Sequence, residues 1–183
     1  MNPLNSILIL VATFLAVFCE AAFSGIRHFL GAQIDLLPAL IVCASLRAGL
    51  ATTTSVALLG GLLFDALSEN PLGISVLPLF VTGFVICSKS DLILRDQIYA
   101  QCVLGLFASA GVPLMTLLLL LTGGRAPLLG WGSLWQWIVM TVGGAAATPV
   151  LFKLFDWFEQ ALNYRRSTET SFRQDREIRR GRN

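Results

Sequence analysis

Long apolar runs alternate with short polar breaks along this chain. Charge-free runs cover 1–19, 48–64, 70–88, 97–124 and 126–152. Each is close to or longer than the ~20 apolar residues that cross a hydrocarbon core of roughly 30 Å. A sixth run, 36–46, is short, and becomes a span only if it begins near Phe29 and takes Asp35 inside. The pattern predicts an all-α polytopic bundle of six transmembrane helices, at 1–19, 29–46, 48–67, 72–87, 98–121 and 134–155.

Small residues at helical spacing mark the faces where these helices can pack closely. Ala12 and Ala16 share a face in the first predicted span, and Ala51, Ser55 and the pair Ala57/Gly61 lie in the third span. Gly105, Ser109 and Gly111 lie in the fifth, and the block 143–149 (GGAAATP) in the sixth. Pro38 suits an early helical turn, where a missing N–H costs little. Pro113 and Pro149 fall inside long runs and predict kinks. Trp131, Trp135 and Trp137 at the start of the last span, and Trp157 beyond it, are placed as interface anchors.

Composition narrows the class. The 183 residues are 55% hydrophobic and 13% charged, with mean hydropathy +0.73, against about a quarter charged in a soluble domain. Six spans leave room for a membrane domain, 1–163, and an arginine-rich tail, 164–183. The first run has no positive n-region, and Phe18 before Cys19 is too large for a lipoprotein cleavage site, so it is expected to stay as a helix. Cys19, Cys43, Cys87 and Cys102 form no CxxC pair and read as small apolar residues.

Charge sets an orientation. With six spans and both termini in the cytoplasm, the inner segments collect Arg47, Lys89, Arg95 and Lys153. They also collect the tail residues Arg165, Arg166, Arg173, Arg176, Arg179, Arg180 and Arg182. The outer loops collect Arg27 and Arg125, which is the bias that the positive-inside rule requires. In the tail, Glu169, Asp175 and Glu177 are outnumbered by arginine, so the tail is either solvated or laid on anionic lipid.

The stretch 60–83, GGLLFDALSENPLGISVLPLFVTG, combines an acid, a turn and a glycine between two apolar runs. Asp65 and Glu69 are four apart, and Pro71 and Gly73 force a tight reversal. A carboxylate there is placed to accept the free N–H groups of the next helix. Catalytic signatures are missing: no GxSxG, no P-loop, no HExxH, and His28 is the sole histidine. Asp35 and Asp65 fall near the outer ends of adjacent spans, which leaves an acid dyad as an alternative to two helix-end groups. The residues point to a non-enzymatic scaffold or binding module without metal or cofactor, and nothing in them points to nucleic acid.

Over about 33–85 the chain resembles the rod shape-determining protein MreD family. The resemblance lies in Asp35-Leu36-Leu37-Pro38, in Gly60-Gly61-Leu62-Leu63-Phe64-Asp65, and in Pro71-Leu72-Gly73. It implies a subunit of the bacterial cell-elongation complex, multi-pass in the inner membrane. Its expected partners are a bitopic MreC-like protein and, through it, the RodA glycosyltransferase, its transpeptidase partner and MreB-like filaments. The tail is longer and more basic than the family pattern. The family is also similar in fold to the substrate-binding S-components of energy-coupling-factor vitamin transporters. That sets the alternative, in which Gln33, Asn70 and Trp131 lie toward an outward pocket.

Overall fold

The structure, a computed structural model, describes residues 3–22, 32, 34–68, 71–90, 97–124 and 130–170. Side chains within the helices are described from Asn5 to Ala161. All the described regular structure is helical: α1 (Pro3–Ala22), α2 (Leu37–Arg47), α3 (Leu50–Leu67), α4 (Val76–Ser88), α5 (Ile98–Thr122) and α6 (Trp131–Thr170). Arg27, His28, Gln33, Glu69, Asn70, Arg95 and Arg125 lie outside the described residues.

Four helices, α1, α3, α5 and α6, are long and apolar enough to cross a membrane, which makes the chain a membrane protein. Side-chain placement agrees. Leu58, Leu59, Phe80, Phe84, Phe107 and Trp131 are exposed, whereas Thr13, Thr52, Thr53, Asp65, Ser109 and Thr148 are buried. An aqueous protein does not present apolar surface on this scale. Facing lipid, the same arrangement is favourable, because most of the buried hydroxyls find partners inside the bundle, Ser109 being the exception. Thr13, Ser45 and Thr148 each donate to the carbonyl four residues earlier, at 2.7–2.8 Å.

The shortest helix is the innermost. Every residue of α2 from Leu37 to Leu46 is buried. Its 11 residues rise only about 16 Å; of the described part of the expected span 29–46, residues 37–46 are helical and residues 34–36 are not. Asp35 stops the helix there. Its Oδ1 accepts the Leu37 N–H at 2.9 Å, a local turn that competes with helical geometry. Pro38 follows in the first turn, as its sequence position predicts.

Close packing depends on small residues at specific crossings. A methyl group at Gly60 would lie 2.8 Å from Leu37 Cδ2 and 3.0 Å from Thr13 Cγ2, and one at Gly61 would lie 2.9 Å from the Val76 backbone. Gly83 leaves room for Thr53, and Gly105 for Thr148. Ser109 packs directly on Gly144, so the small residues of α5 and those of α6 face one another. On α3 the buried residues are Thr52, Thr53, Val56, Ala57, Gly60, Gly61 and Asp65, so the expected Ala57/Gly61 pair is buried, while Ser55 is half-buried and Ala51 is exposed. On α1 the buried stripe is Ile9, Thr13 and Val17, rather than the expected Ala12/Ala16 face, which is half-buried.

Residues Met1–Phe152 form one compact unit and Lys153–Asn183 a second. Helix α6 runs to Thr170, past the expected domain boundary at 163/164. The backbone of Arg165 and Arg166 is therefore helical, but their side chains, and all of Arg173, Arg176, Arg179, Arg180 and Arg182, lie outside the described residues.

Candidate functional site: two acid-braced helix junctions

Helix α3 ends at Leu67, with Asp65 in its last turn. The chain then reverses through residues 71–75. The Ile74 N–H donates to the Pro71 carbonyl at 3.2 Å, and Gly73 takes φ +90°. A positive φ at the third position of such a turn is the type II pattern, and it selects glycine. Asp65 holds this reversal. Its Oδ2 accepts the N–H of Gly73 at 2.8 Å and of Ser75 at 3.1 Å, and its Oδ1 accepts the Ser75 hydroxyl at 2.6 Å. Ser75 is the N-cap of α4, and its own side chain caps no backbone N–H. The buried carboxylate of α3 therefore supplies the acceptor that the start of α4 lacks.

A second junction has the same construction. Glu20 lies in the last turn of α1, and its Oε1 accepts the N–H of Leu36, the N-cap of α2, at 2.6 Å. Asp35 accepts the next N–H, that of Leu37. Two acids thus meet at the start of the buried helix: the carboxyl neighbouring Asp35 is Glu20. The second Glu20 oxygen, Oε2, is buried without a hydrogen-bond partner.

The residues that carry the sequence resemblance converge on these junctions. Asp35 and Pro38 open α2. Gly60 lets α3 close on Leu37, and Gly61 lets it close on the first turn of α4. Asp65, Pro71 and Gly73 form the reversal itself. Glu69, expected to share a face with Asp65, lies outside the described residues. Glu20 was missed as a site residue, because in the sequence it only marks the end of an apolar run. The signal that finds it is its place in a final helical turn ahead of a short apolar helix, the same place that Asp65 occupies.

The junctions also sort charge. Glu20 ends α1, Asp35 opens α2 and Asp65 ends α3 beside the start of α4, so these acids share one end of the bundle. Arg47, at the C-terminal end of α2, and Lys89, the C-cap of α4, lie at the opposite end. There Ser6 and Thr52 join α1 to α3 through their hydroxyls at 2.9 Å. A polar seam ties the basic half together: the Ser45 hydroxyl donates to the Gly83 carbonyl at 3.2 Å, and the Cys87 thiol to the Ser45 carbonyl at 3.3 Å.

Comparison with protein-family models, curated proteins and solved structures finds no match to this chain.

Proposed function

We propose that this chain is a non-enzymatic subunit of the cell-elongation machinery in the bacterial inner membrane, an MreD-like scaffold. The observation that carries the reading is the use made of the resemblance motif. Its acid, Asp65, has its carboxylate engaged by three hydrogen bonds to the turn that follows, and its glycines sit at helix crossings. Chemistry of this kind positions helices. In the proposed orientation both termini are cytoplasmic, the end with Arg47 and Lys89 faces inward, and the arginine tail lies along anionic lipid. The partners are those implied by the resemblance: an MreC-like bitopic protein and, through it, RodA, its transpeptidase partner and MreB-like filaments. Depletion in a rod-shaped host tests this, with rounding of the cells as the expected result. Normal rods after complete loss, in a strain without a second copy, overturn the proposal.

A second reading, the substrate-binding component of a vitamin transporter, is favoured by one observation. A cavity of about 890 Å³ lies between the second half of α5 and the start of α6. Pro113, Leu117, Trp131, Trp137 and Met140 line it, with Ser133 and Gln136 as polar groups. Its size and apolar character suit a small molecule. Native mass spectrometry of gently purified protein separates the two readings, since a stoichiometric small-molecule adduct is expected only for the transporter component.

A further inference from the structure

Helices α5 and α6 change their mode of contact partway along their length. In the first half of α5 they are tightly packed. A methyl group at Gly105 would lie 2.8 Å from Thr148 Cβ, and one at Gly144 would lie 2.5 Å from Ser109 Cβ. These antiparallel pairs, 105 with 148 and 109 with 144, set a register that continues one turn on to 113 with 140, and two turns on to 117 with 136. At those positions the tight seam gives way to the cavity of about 890 Å³, which Pro113, Leu117, Gln136 and Met140 all line. The change falls at Pro113.

Proline has no N–H, and its ring crowds the carbonyl four residues earlier. Helix α5 runs through Pro113, but the Ser109 carbonyl has no N–H at position 113 to accept from. The Ser109 hydroxyl, buried against Gly144, has no hydrogen-bond partner. The backbone ladder of α5 is therefore weakened between the residue that ends the seam and the residue that opens the cavity. Trp137 of α6 bridges this weak turn. Its indole N–H donates to the Ala110 carbonyl at 3.2 Å, and its ring lines the cavity. Trp137 is exposed, as are Leu114 and Leu134 of the same lining, so this bond lies on the lipid flank rather than inside the seam. Hydrogen bonds between helices in a bilayer are weak enough to open thermally.

We propose that the part of α5 after Pro113 is a hinged wall of this cavity, pivoting at residues 109–113, and that Trp137 is its latch. The seam at Gly105, Ser109, Gly144 and Thr148 holds the first half of α5 on α6 while the second half moves, and the width of the cavity follows. The inference goes beyond both functional readings and rests on neither. Spin labels on Leu118→Cys and Ile138→Cys follow the motion, because both positions are exposed, one on each helix, and neither lines the cavity. The full-length chain, in a background lacking the four native thiols, is reconstituted in lipid nanodiscs, and label distances are read by electron paramagnetic resonance. Wild type is expected to show a major and a minor distance population. Trp137→Phe keeps an aromatic ring but loses the N–H, and is expected to raise the minor population relative to the major one about threefold. Pro113→Ala restores an N–H for the Ser109 carbonyl, and is expected to leave one narrow distribution. Size-exclusion profiles identify the folded variants; if Trp137→Phe fails to fold, Pro113→Ala decides. Two wild-type populations that Pro113→Ala leaves unchanged, or a single distribution that neither variant alters, overturn the hinge. A population ratio unchanged in folded Trp137→Phe overturns the latch.

Discussion

Replacing Asp65 tests the junction most directly, because alanine and asparagine should behave differently. Alanine removes three hydrogen bonds and leaves the N–H and hydroxyl of buried Ser75 without their acceptor. Hydrogen bonds contribute about 1 kcal/mol net each, and roughly 1–3 kcal/mol when a buried partner is left unsatisfied. The expected loss for Asp65→Ala is therefore about 3–6 kcal/mol, or a fall in Tm of roughly 6–24 °C for a chain of this length. Asparagine is nearly isosteric. Its amide oxygen in place of Oδ2 keeps both backbone N–H bonds, and its NH2 in place of Oδ1 donates to the Ser75 hydroxyl, which also accepts. Only the charge assistance is lost, about 1–2 kcal/mol. Tryptophan-fluorescence melting in detergent, with size-exclusion profiles, provides the assay. An alanine variant within 2 °C of wild type, or an asparagine variant as damaged as alanine, would refute the bracing argument. A third outcome bears on function: Asp65→Asn that accumulates and assembles normally yet fails to maintain cell shape would assign the acid a direct role and refute the scaffold reading.

Glu20→Gln is expected to leave Tm unchanged or raise it by a few degrees. The amide keeps an acceptor for the Leu36 N–H and places a donor where Oε2 now lies unpartnered beside Asp35; a clear fall in Tm would show that the charge itself is needed. Gly73→Ala and Gly61→Ala should both destabilise, for different reasons. A Cβ at Gly73 touches nothing within 4 Å, so the φ of +90° is its whole cost, about 1–2 kcal/mol. At Gly61 the Cβ meets the Val76 backbone, at about 1–3 kcal/mol. Gly73→Asn should recover part of the first loss, because asparagine tolerates a positive φ, and Gly61→Ser should recover none of the second; thermal melting of the four variants checks both. For orientation, single cysteines at positions 69 and 89 in a background lacking the four native thiols should label oppositely with an impermeant maleimide. Position 69 is expected to react from outside intact cells; protection there, with reaction at 89, would invert the topology.

How legible the fold was depended on whether partners lie close in sequence. Asp65 and the turn it holds are separated by eight to ten residues, so an acid at a helix end before a Pro–Gly reversal could be read directly as a brace. Glu20 reaches Leu36 across sixteen residues, and nothing local to Glu20 announces that partner. The expected second span reached back to Phe29 only by taking Asp35 inside, and hydropathy cannot register that Asp35 turns back onto its own backbone just before α2. Faces within spans were harder still. In lipid both sides of a helix are apolar, so the period that marks a core in soluble proteins is muted. Small residues became the guide. They succeeded at Gly105/Ser109 and Gly144/Thr148, where two helices meet through them, and failed at Ala12/Ala16, where α1 packs through its larger neighbours Ile9, Thr13 and Val17.

The two junctions explain how a short apolar helix is kept inside a bilayer-sized bundle. Helices α2 and α4, with 11 and 13 residues, are shorter than the ~20 residues a hydrocarbon core requires. A helix of that length begins with N–H groups that have no intrahelical partner, and lipid offers none. In each case the preceding long helix carries the acceptor in its last turn, Glu20 on α1 and Asp65 on α3. At α4 the Asp65 carboxylate also lies against the positive end of the following helix dipole. Pairing a long helix with a short one in this way lets α2 be wholly enclosed, with its polar start satisfied by protein. It also gathers acids at one end of the bundle, opposite Arg47 and Lys89. The bracing acids therefore fall at the end opposite the basic residues from which the orientation of the chain was inferred.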